Sequence, residues 1–261
     1  MPELPDVEAF RAVLADCARG RTIARVEVHD PGVLHDVDAR HLGDALEGRR
    51  FTEPGRRGKW LLAHTGGPTV LFHFGMTGRL VCGGRDEAPH PHDRVEFVLA
   101  GGRRLRYRDQ RKLKGLWLAD RSGVARLLDS QGPDATEVTR EAFDALLGDR
   151  RGAVKAVLTD QGVLAGLGNL LADEILWRSR VRPQEPAAAL TQERRHRLYR
   201  DMRSVLRASV HAGHVPPENS WLTGHRAEPD PRCPRCGTPL SRTRVGGRTT
   251  FFCPHCQQSG G

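Results

Sequence analysis

Apolar side chains near the start of the chain recur at the spacing of a helix. Val7, Phe10, Leu14 and Cys17 fall on one face of a helix predicted over residues 5–19. Beyond it the pattern changes to short apolar runs separated by glycine, proline and polar clusters, which are the marks of β-strands. The runs are TIARVEVH, KWLLAHT, TVLFHFG, RLVCGG, RVEFVLA, RRLRYRD and GLWLAD. Such a series predicts a β-sandwich or a barrel.

The second half of the chain has the longer period of helices. Thr139 and Thr191 are predicted N-caps of two of these helices. The stretch 121–138 between the two halves carries turn signals but little periodicity. The predicted helices cover residues 139–149, 153–161, 168–178 and 191–212.

These patterns predict an α+β protein of several domains. A β-sandwich carrying the terminal helix is expected at 1–125, a helical domain at 126–225 and a C-terminal zinc hairpin at 226–261. The segment 213–231 is a proline-rich connection within this arrangement.

Charge narrows the class of partner. The chain has 261 residues and a formal net charge of +9, with basic residues along its whole length. Such a surplus favours a polyanion as the partner. No apolar stretch approaches the ~18 residues that indicate a membrane span, and the N-terminus is acidic, unlike a signal peptide. We therefore expect a cytoplasmic protein without a membrane contact.

Four cysteines near the C-terminus form two C-x2-C pairs with sixteen residues between them, Cys233, Cys236, Cys253 and Cys256. This spacing predicts one tetrahedral Zn²⁺, and a glycine pair at 246–247 supplies the hairpin turn that joins the two pairs. Four thiolates leave no open position, so the zinc is expected to be structural. A disulfide pair is the alternative, and His255 is a rival ligand. Cys17 and Cys82 lie in apolar patterns and are expected to be buried reduced thiols.

The first eight residues, MPELPDVE, combine an amine with an acid. Removal of Met1 would leave Pro2 with a secondary amine, and an N-terminal amine has a pKa of about 7.7–8.0 against about 10.4 for lysine. An uncharged amine beside Glu3 suits nucleophilic attack on a carbonyl or acetal carbon. The alternative is an ordinary chain start, in which Glu3 and Asp6 only favour a helix N-terminus.

Lysine is rare among the basic residues, with only Lys59, Lys112, Lys114 and Lys155 present. A lysine kept in an arginine-rich chain is a candidate for a site that needs a compact ammonium. The glycine-punctuated contexts GRRGKW and RRGAVKAVL nominate Lys59 and Lys155. The other two are consistent with a solvated basic loop.

A glycine-rich turn, GVLAGLGN, precedes one predicted helix. Its backbone amides could approach a phosphate, with Asn169 opening the helix, although Asn169 could equally be an ordinary N-cap. Farther along, Arg248 follows the hairpin turn of the finger and is the arginine best placed there to reach a nucleic-acid groove.

Taken in order, these motifs resemble the formamidopyrimidine-DNA glycosylase and endonuclease VIII family of base-excision repair enzymes. The matching segments are PELPDVE, GRRGKWLL, HFGMTGRL, HDRVEF, DQRK, AGLGNLLADEILW and GRTTFFCPHCQ. The resemblance spans the whole chain. It implies a β-sandwich, a helix-two-turns-helix domain and a zinc hairpin, with damaged double-stranded DNA in the cleft between the domains.

The resemblance also implies catalytic roles. The Pro2 amine would attack the sugar carbon C1′ and release the base, and the iminium link would then allow β- and δ-elimination. Glu3 would protonate the ring oxygen, and Lys59 would contact the phosphate beside the lesion.

Further positions match DNA contacts of the family. Asn169, Arg248 and Lys155 match basic or polar contacts, and His92 opens the HDRVEF segment. Met76, Arg111 and Leu113 match the side chains that fill the place of the everted base. The sequence departs from the family pattern here, because Leu113 stands where a phenylalanine is usual and Lys114 where a glycine is expected.

The choice of lesion stays open at this level. The opening PELPDVE favours oxidised or ring-opened purines, whereas the short connection 213–231 resembles the endonuclease VIII branch, which acts on oxidised pyrimidines. A non-catalytic reader of damaged DNA is a further alternative, and a protein-binding zinc ribbon is disfavoured by the charge. We expect a monomer without a nucleotide cofactor, located at the nucleoid of the cytoplasm.

Overall fold

The computed structural model describes residues 1–258 and divides into two compact units. The first unit comprises Met1–Pro2 and Asp6–Ser130, and the second comprises Glu3–Pro5 and the chain from Gln131 onward. The first residues of the N-terminal helix therefore group with the second unit.

The N-terminal helix is present as predicted. Helix α1 covers Leu4–Ala18 and ends before Gly20, which adopts a left-handed φ of +75°. Val7, Leu14 and Cys17 are buried along one face, as the spacing requires. On the outer face Arg11 pairs with Glu8 at 2.6 Å.

The first unit is a β-sandwich, which confirms the predicted fold class. One sheet has the order β1-β7-β8-β6 and the other the order β2-β9-β5-β4-β3. Both sheets and helix α1 contribute to one hydrophobic core, which includes Leu14, Phe72, Phe97 and Tyr107. The strands are β1 (Ile23–Val28), β2 (Leu34–His35), β3 (Gly55–Arg57), β4 (Trp60–His64), β5 (Thr69–His73), β6 (Arg79–Gly83), β7 (Asp93–Leu99), β8 (Arg104–Arg108) and β9 (Leu116–Ala119).

Two short helices of this unit escaped the sequence analysis. Helix α2 spans Ala39–Leu46, and helix α3 spans Arg121–Leu128 in the stretch that showed little periodicity. Each begins at an aspartate N-cap, and Asp120 accepts a hydrogen bond from the Gly123 amide at 2.7 Å. An eight-residue helix carries too few apolar positions to display its period, so the cap is the better signal.

Cys17 and Cys82 form a disulfide, which corrects the expectation of two reduced thiols. Cys17 lies in the last turn of α1 and Cys82 in β6, with their Cα atoms 5.8 Å apart. Only Cys17 is buried, whereas Cys82 is exposed. The two residues are 65 positions apart in the chain, and nothing in their local patterns indicated the pairing.

The second unit is helical and ends in a β-hairpin. Its core includes Leu4, Leu171, Leu198 and Trp221. The predicted caps are confirmed, since the Thr139 and Thr191 hydroxyls accept hydrogen bonds from amides three residues on. Its elements are α4 (Arg140–Gly148), α5 (Val154–Thr159), α6 (Asn169–Arg178), α7 (Gln192–Ala212), α8 (Leu222–His225), β10 (Ser241–Val245) and β11 (Arg248–Phe252).

The connection 213–231 is folded against this core. Trp221 is buried, with the Arg178 guanidinium 4.3 Å from its ring centroid. Thr223 donates its hydroxyl to the Pro216 carbonyl at 2.8 Å, and its amide donates to the Glu174 carboxylate at 3.2 Å. Among residues 1–258, no helix is long and apolar enough to cross a membrane.

Candidate functional site

Glu3 is buried, with 1% of its surface exposed, at the start of helix α6. Its carboxylate accepts hydrogen bonds from the backbone amides of Gly168 at 3.0 Å, Leu170 at 2.8 Å and Leu171 at 3.1 Å. The first amides of a helix have no partner within the helix, and they carry the positive end of its dipole. These three donors stabilise the ionised form of Glu3.

Two glycines of the GVLAGLGN turn allow this approach. A Cβ on Gly168 would lie 2.2 Å from the Glu3 carboxyl carbon, and one on Gly166 would lie 2.4 Å from Leu4 Cδ1. Gly166 also has a φ of +114° and accepts a hydrogen bond from the Leu4 amide at 3.2 Å. In the second unit the glycines therefore make room for residues 3 and 4.

Asn169 is the first residue of α6, and the N-cap is Gly168. The alternative that Asn169 is an ordinary N-cap is therefore wrong. Its Oδ1 atom is buried, and it has no hydrogen-bond partner within residues 1–258. A side-chain amide that lies at a helix start with its oxygen unpaired is suited to bind an external ligand.

Pro2 lines a cavity of about 400 Å³ in the first unit. The cavity also contains Met76 and His92, so it brings together three of the predicted site residues. Arg79 and Arg108 contribute positive charge to its wall, and Arg108 is held by Asp93 at 2.6 Å. Removal of Met1 would place the Pro2 amine beside these cationic side chains, an arrangement that suits an anionic substrate.

The predicted wedge side chains lie on two adjacent loops. The Arg111 guanidinium contacts the Met76 sulfur at 3.0 Å. Leu113 packs beside the turn at Gly75, where an added Cβ would lie 3.5 Å from the Leu113 Cβ. Met76 and Leu113 are 41% and 49% exposed, which is unusual for large apolar side chains. Lys112 is exposed, as expected of a solvated loop, and it pairs with Asp30 at 2.9 Å.

Lys59 occupies the two-residue turn between β3 and β4, after Gly58 with a φ of +56°. It is not among the side chains that line the Pro2 cavity. Its charge acts instead on His73, at the end of β5. Burial, the charge of Lys114 and the charge of Lys59 lower the pKa of His73 to about 4.

Sequence reasoning missed His73, although it opens the HFGMTGRL segment. Its Nδ1 accepts a hydrogen bond from the Gly75 amide at 3.2 Å, so the neutral ring carries its proton on Nε2. The ring packs edge-on against Trp60, with the centroids 5.0 Å apart. At neutral pH His73 is therefore an uncharged donor close to two lysines.

Lys155 differs from its expected role. It is fully buried, and its ammonium contacts Asp173 Oδ1 at 2.6 Å, the Thr250 hydroxyl at 2.7 Å and the Thr249 carbonyl at 3.2 Å. Burial lowers the pKa of Lys155, and the Asp173 carboxylate opposes that shift. These contacts use all three ammonium protons. We therefore revise the expected role of Lys155, from a contact with DNA to a support of strand β11.

Arg248 is exposed at the tip of the hairpin. The Val245↔Arg248 pair leaves Gly246 and Gly247 as a two-residue turn with φ of +55° and +73°, which confirms the predicted turn. A Cβ on Gly246 would lie 3.2 Å from the Ala156 Cβ, so the tip packs against α5.

The four cysteines of the finger fit a zinc ion. Their sulfur atoms all lie within 4.8 Å of one another, and three of the pairs are 3.4, 3.5 and 4.0 Å apart. Tetrahedral thiolates at about 2.3 Å from zinc would be about 3.8 Å apart. The Trp177 indole donates a hydrogen bond to the Cys233 sulfur at 3.3 Å. His255 is exposed and is not part of the cluster.

Comparisons with known proteins agree with this geometry. Residues 1–116 match the formamidopyrimidine-DNA glycosylase N-terminal domain, residues 130–217 match the H2TH domain of the same enzymes, and residues 231–258 match a zinc finger found in FPG and IleRS. These matches cover nearly the whole described chain.

Relatives of similar length were also found. The formamidopyrimidine-DNA glycosylase of Moorella thermoacetica is 42% identical, over 94% of this chain and 95% of the relative. That of Heliobacterium modesticaldum is 37% identical, over 99% and 100%. A Lactococcus lactis Fpg structure with abasic-site DNA is 27% identical with a TM-score of 0.90, covering 99% of this chain and 100% of that one.

The zinc site predicts a clear effect of removing one ligand. Cys253→Ser should leave less than about a tenth of the metal bound, because a structural zinc needs all four thiolates. The hairpin should then become susceptible to trypsin at its arginines. Zinc per chain by mass spectrometry and the tryptic pattern measure the two effects.

The matched control is His255→Ala, which should retain one zinc per chain and resist trypsin. Loss of zinc from the His255 variant would contradict the four-cysteine site.

The lowered pKa of His73 predicts acid sensitivity. A histidine whose pKa falls on folding stabilises the protein above the unfolded value of about 6.5, and this stabilisation is lost as the pH falls toward about 4. Between pH 7 and pH 4.5 the loss should be about 2 kcal/mol of unfolding free energy. His73→Gln should lack this component in urea unfolding, whereas the exposed His41→Gln should keep it. Equal acid dependence of the wild type and His73→Gln would contradict the assignment.

Proposed function

The chain belongs to the formamidopyrimidine-DNA glycosylase family, and on that premise we propose that the Pro2 amine is the nucleophile, with Glu3 as its proton carrier. It is a base-excision repair DNA glycosylase of a family whose members are also AP lyases. The observation that carries the residue assignment is the buried Glu3 carboxylate, held by three helix amides. It is covalently adjacent to Pro2, which lines an open cavity and whose nitrogen becomes an amine when Met1 is removed.

The proposed reaction begins when the nitrogen of Pro2, freed by removal of Met1, bonds to C1′ of the damaged nucleotide. The bond from C1′ to the base breaks, and the base leaves with the bonding electrons and takes a proton from water. The attacking amine gives its proton to Glu3, which passes it to the ring oxygen as the sugar opens. The product is an iminium between Pro2 and C1′.

The iminium then acts as an electron sink. Loss of a C2′ proton expels the 3′ phosphate, and a second elimination expels the 5′ phosphate. Ionised Glu3 is in the state needed to accept the first proton, and its three amide donors stabilise that state.

DNA backbone contacts are assigned to four polar or basic side chains, two in each unit. Lys59 with neutral His73 in the first unit, and Asn169 with Arg248 in the second, are proposed to contact phosphates. Such contacts position a duplex without reading its sequence. His92 is proposed to contact the nucleotide in the Pro2 cavity.

The exposed wedge is proposed to replace the everted base. Met76, Arg111 and Leu113 offer apolar surface and a guanidinium plane on adjacent loops. A nucleotide must leave the stack before the amine can reach C1′, and the vacancy is otherwise left unfilled.

Oxidised or ring-opened purines are the proposed substrates. A Lactococcus lactis Fpg structure contains Fapy-dG DNA, at 28% identity with a TM-score of 0.89 over 98% of this chain and 100% of that one. Oxidised pyrimidines are the second candidate. The folded connection 213–231, anchored by Trp221 and Thr223, favours them because it offers no long loop over an everted purine. Another Lactococcus lactis Fpg structure contains an oxidised pyrimidine.

We also propose that the protein acts as a monomer at the nucleoid of the cytoplasm and uses no nucleotide cofactor. The net charge of +9 supports association with chromosomal DNA.

Borohydride trapping tests the nucleophile. Wild-type protein with abasic-site duplex should form a covalent adduct, because borohydride reduces the iminium. Pro2→Thr and a form that retains Met1 should trap at least about a hundredfold more slowly. Glu3→Gln should show a loss of similar size, since the amide cannot carry the proton.

The control for Glu3 is Asp16→Asn, an exposed acid on helix α1, which begins directly after Glu3. It should trap at the wild-type rate. Trapping of the Pro2 variant at the wild-type rate would show that another amine is the nucleophile.

A substrate panel tests the lesion. Duplexes with formamidopyrimidine, 8-oxoguanine, an oxidised pyrimidine or an abasic site should be compared under single-turnover conditions. We expect formamidopyrimidine to be excised at least about tenfold faster than the oxidised pyrimidine, a difference typical of pocket discrimination. The reverse order would establish oxidised pyrimidines as the substrates. Binding of these duplexes without cleavage would indicate a non-catalytic reader of damaged DNA.

A further inference from the structure

Asp109 is a buried acid that the proposed reaction does not use. It is 1% exposed and follows β8, directly before the loop that carries Arg111 and Leu113. We propose that Asp109 is a positioning residue that joins the two wedge loops, so that Met76 and Arg111 enter the duplex as one preorganised unit. This inference rests on the wedge role given under the proposed function.

The carboxylate joins the loops directly. Asp109 Oδ1 accepts hydrogen bonds from the Thr77 hydroxyl at 2.5 Å and from the Arg111 amide at 3.1 Å. The Arg111 amide also donates to the Thr77 hydroxyl oxygen at 3.0 Å. Residues 77, 109 and 111 therefore form a closed triangle of hydrogen bonds. Arg111 is one corner of this triangle, and Met76 is next to the corner at Thr77.

The rest of Asp109 is anchored in the first unit. Its second carboxylate oxygen accepts a hydrogen bond from the Tyr107 hydroxyl at 3.2 Å, and its amide donates to the His92 carbonyl at 2.9 Å. Its carbonyl accepts from Arg94 Nε at 2.7 Å. Asp109 thus fixes the wedge loops relative to His92, which lines the Pro2 cavity.

The side chains of Met76 and Arg111 meet beside this triangle. The Arg111 guanidinium touches the Met76 sulfur at 3.0 Å while both side chains are exposed. Long exposed side chains lose rotamer freedom when they enter a stack, and a preorganised pair has less to lose. The carboxylate should therefore affect steps that require insertion and leave other steps unchanged.

The experiment compares a substrate that needs the wedge with one that does not. Lesion-containing duplex requires eversion, whereas a single-stranded abasic oligonucleotide has neither a base to evert nor a vacancy to fill. The variants are Asp109→Asn and Thr77→Val, with Thr77→Ser as the conservative rescue and Ser122→Ala as the control, which removes a side-chain hydrogen bond to Asp120 rather than to Asp109.

The expected result is selective. Excision from duplex by Asp109→Asn and Thr77→Val should slow about 10- to 100-fold in kcat, the range for losing a hydrogen bond to a charged group. Borohydride trapping on the single strand should change less than about twofold. Thr77→Ser and Ser122→Ala should remain close to wild type on both substrates, and thermal unfolding identifies any variant that fails to fold.

A second readout does not depend on chemistry. With 2-aminopurine opposite a tetrahydrofuran abasic analogue, wedge insertion should raise the fluorescence, and this rise should slow in Thr77→Val but not in Thr77→Ser. Equal insertion rates in Thr77→Val and wild type, or equal losses on duplex and single strand, would overturn the inference. Failure of wild-type protein to trap or cleave would instead overturn the proposed function, and the fluorescence step would still test the loop linkage.

Discussion

Burying a carboxylate costs on the order of several kcal/mol unless hydrogen-bond donors replace its water, and the functional parts of this protein are built around that constraint. Glu3 is buried at the start of α6, where three helix amides would otherwise lack partners. The Glu3 carboxylate gains hydrogen-bond donors, and the first amides of α6 gain an acceptor. This contact requires glycine at position 168, because any side chain on Gly168 would occupy the place of the Glu3 carboxyl. Because Pro2 is bonded to Glu3, the same interaction limits where its amine can lie.

Two further buried carboxylates solve the same problem within their own units. Asp109 takes its donors from Thr77, Arg111 and Tyr107, and the result is a fixed pair of loops. Asp173 forms ion pairs with Lys155 and Arg226 and accepts a hydrogen bond from the amide of Phe251, and the result is a hairpin strand tied to α6. Burial raises the pKa of Asp173, which the two cations oppose. In each case the acid orders a segment that carries an exposed functional side chain.

Local patterns predicted those features whose cause is local. Helix α1, the caps at Thr139 and Thr191, the glycine turn of the hairpin and the four zinc cysteines all follow from spacing of a few residues. The features that escaped prediction depend on partners far along the chain. Cys17 bonds to a residue 65 positions away, and the Lys155 ammonium contacts Thr250, 95 positions away. The local spacing of residues in the sequence does not indicate such distant pairs.

The few lysines show why residue type alone did not fix a role. All four belong to one rare class, yet exposed Lys112 pairs with Asp30 while Lys155 is enclosed with Asp173. Lys59 and Lys114 instead act on His73, and their charges, added to burial, keep its ring neutral. A protonated His73 would add a third like charge to that surface, whereas the neutral ring offers a directed donor from Nε2 without added repulsion. The lysines thereby set the chemical state of a neighbour as well as the local charge, so each is understood only with the groups that face it.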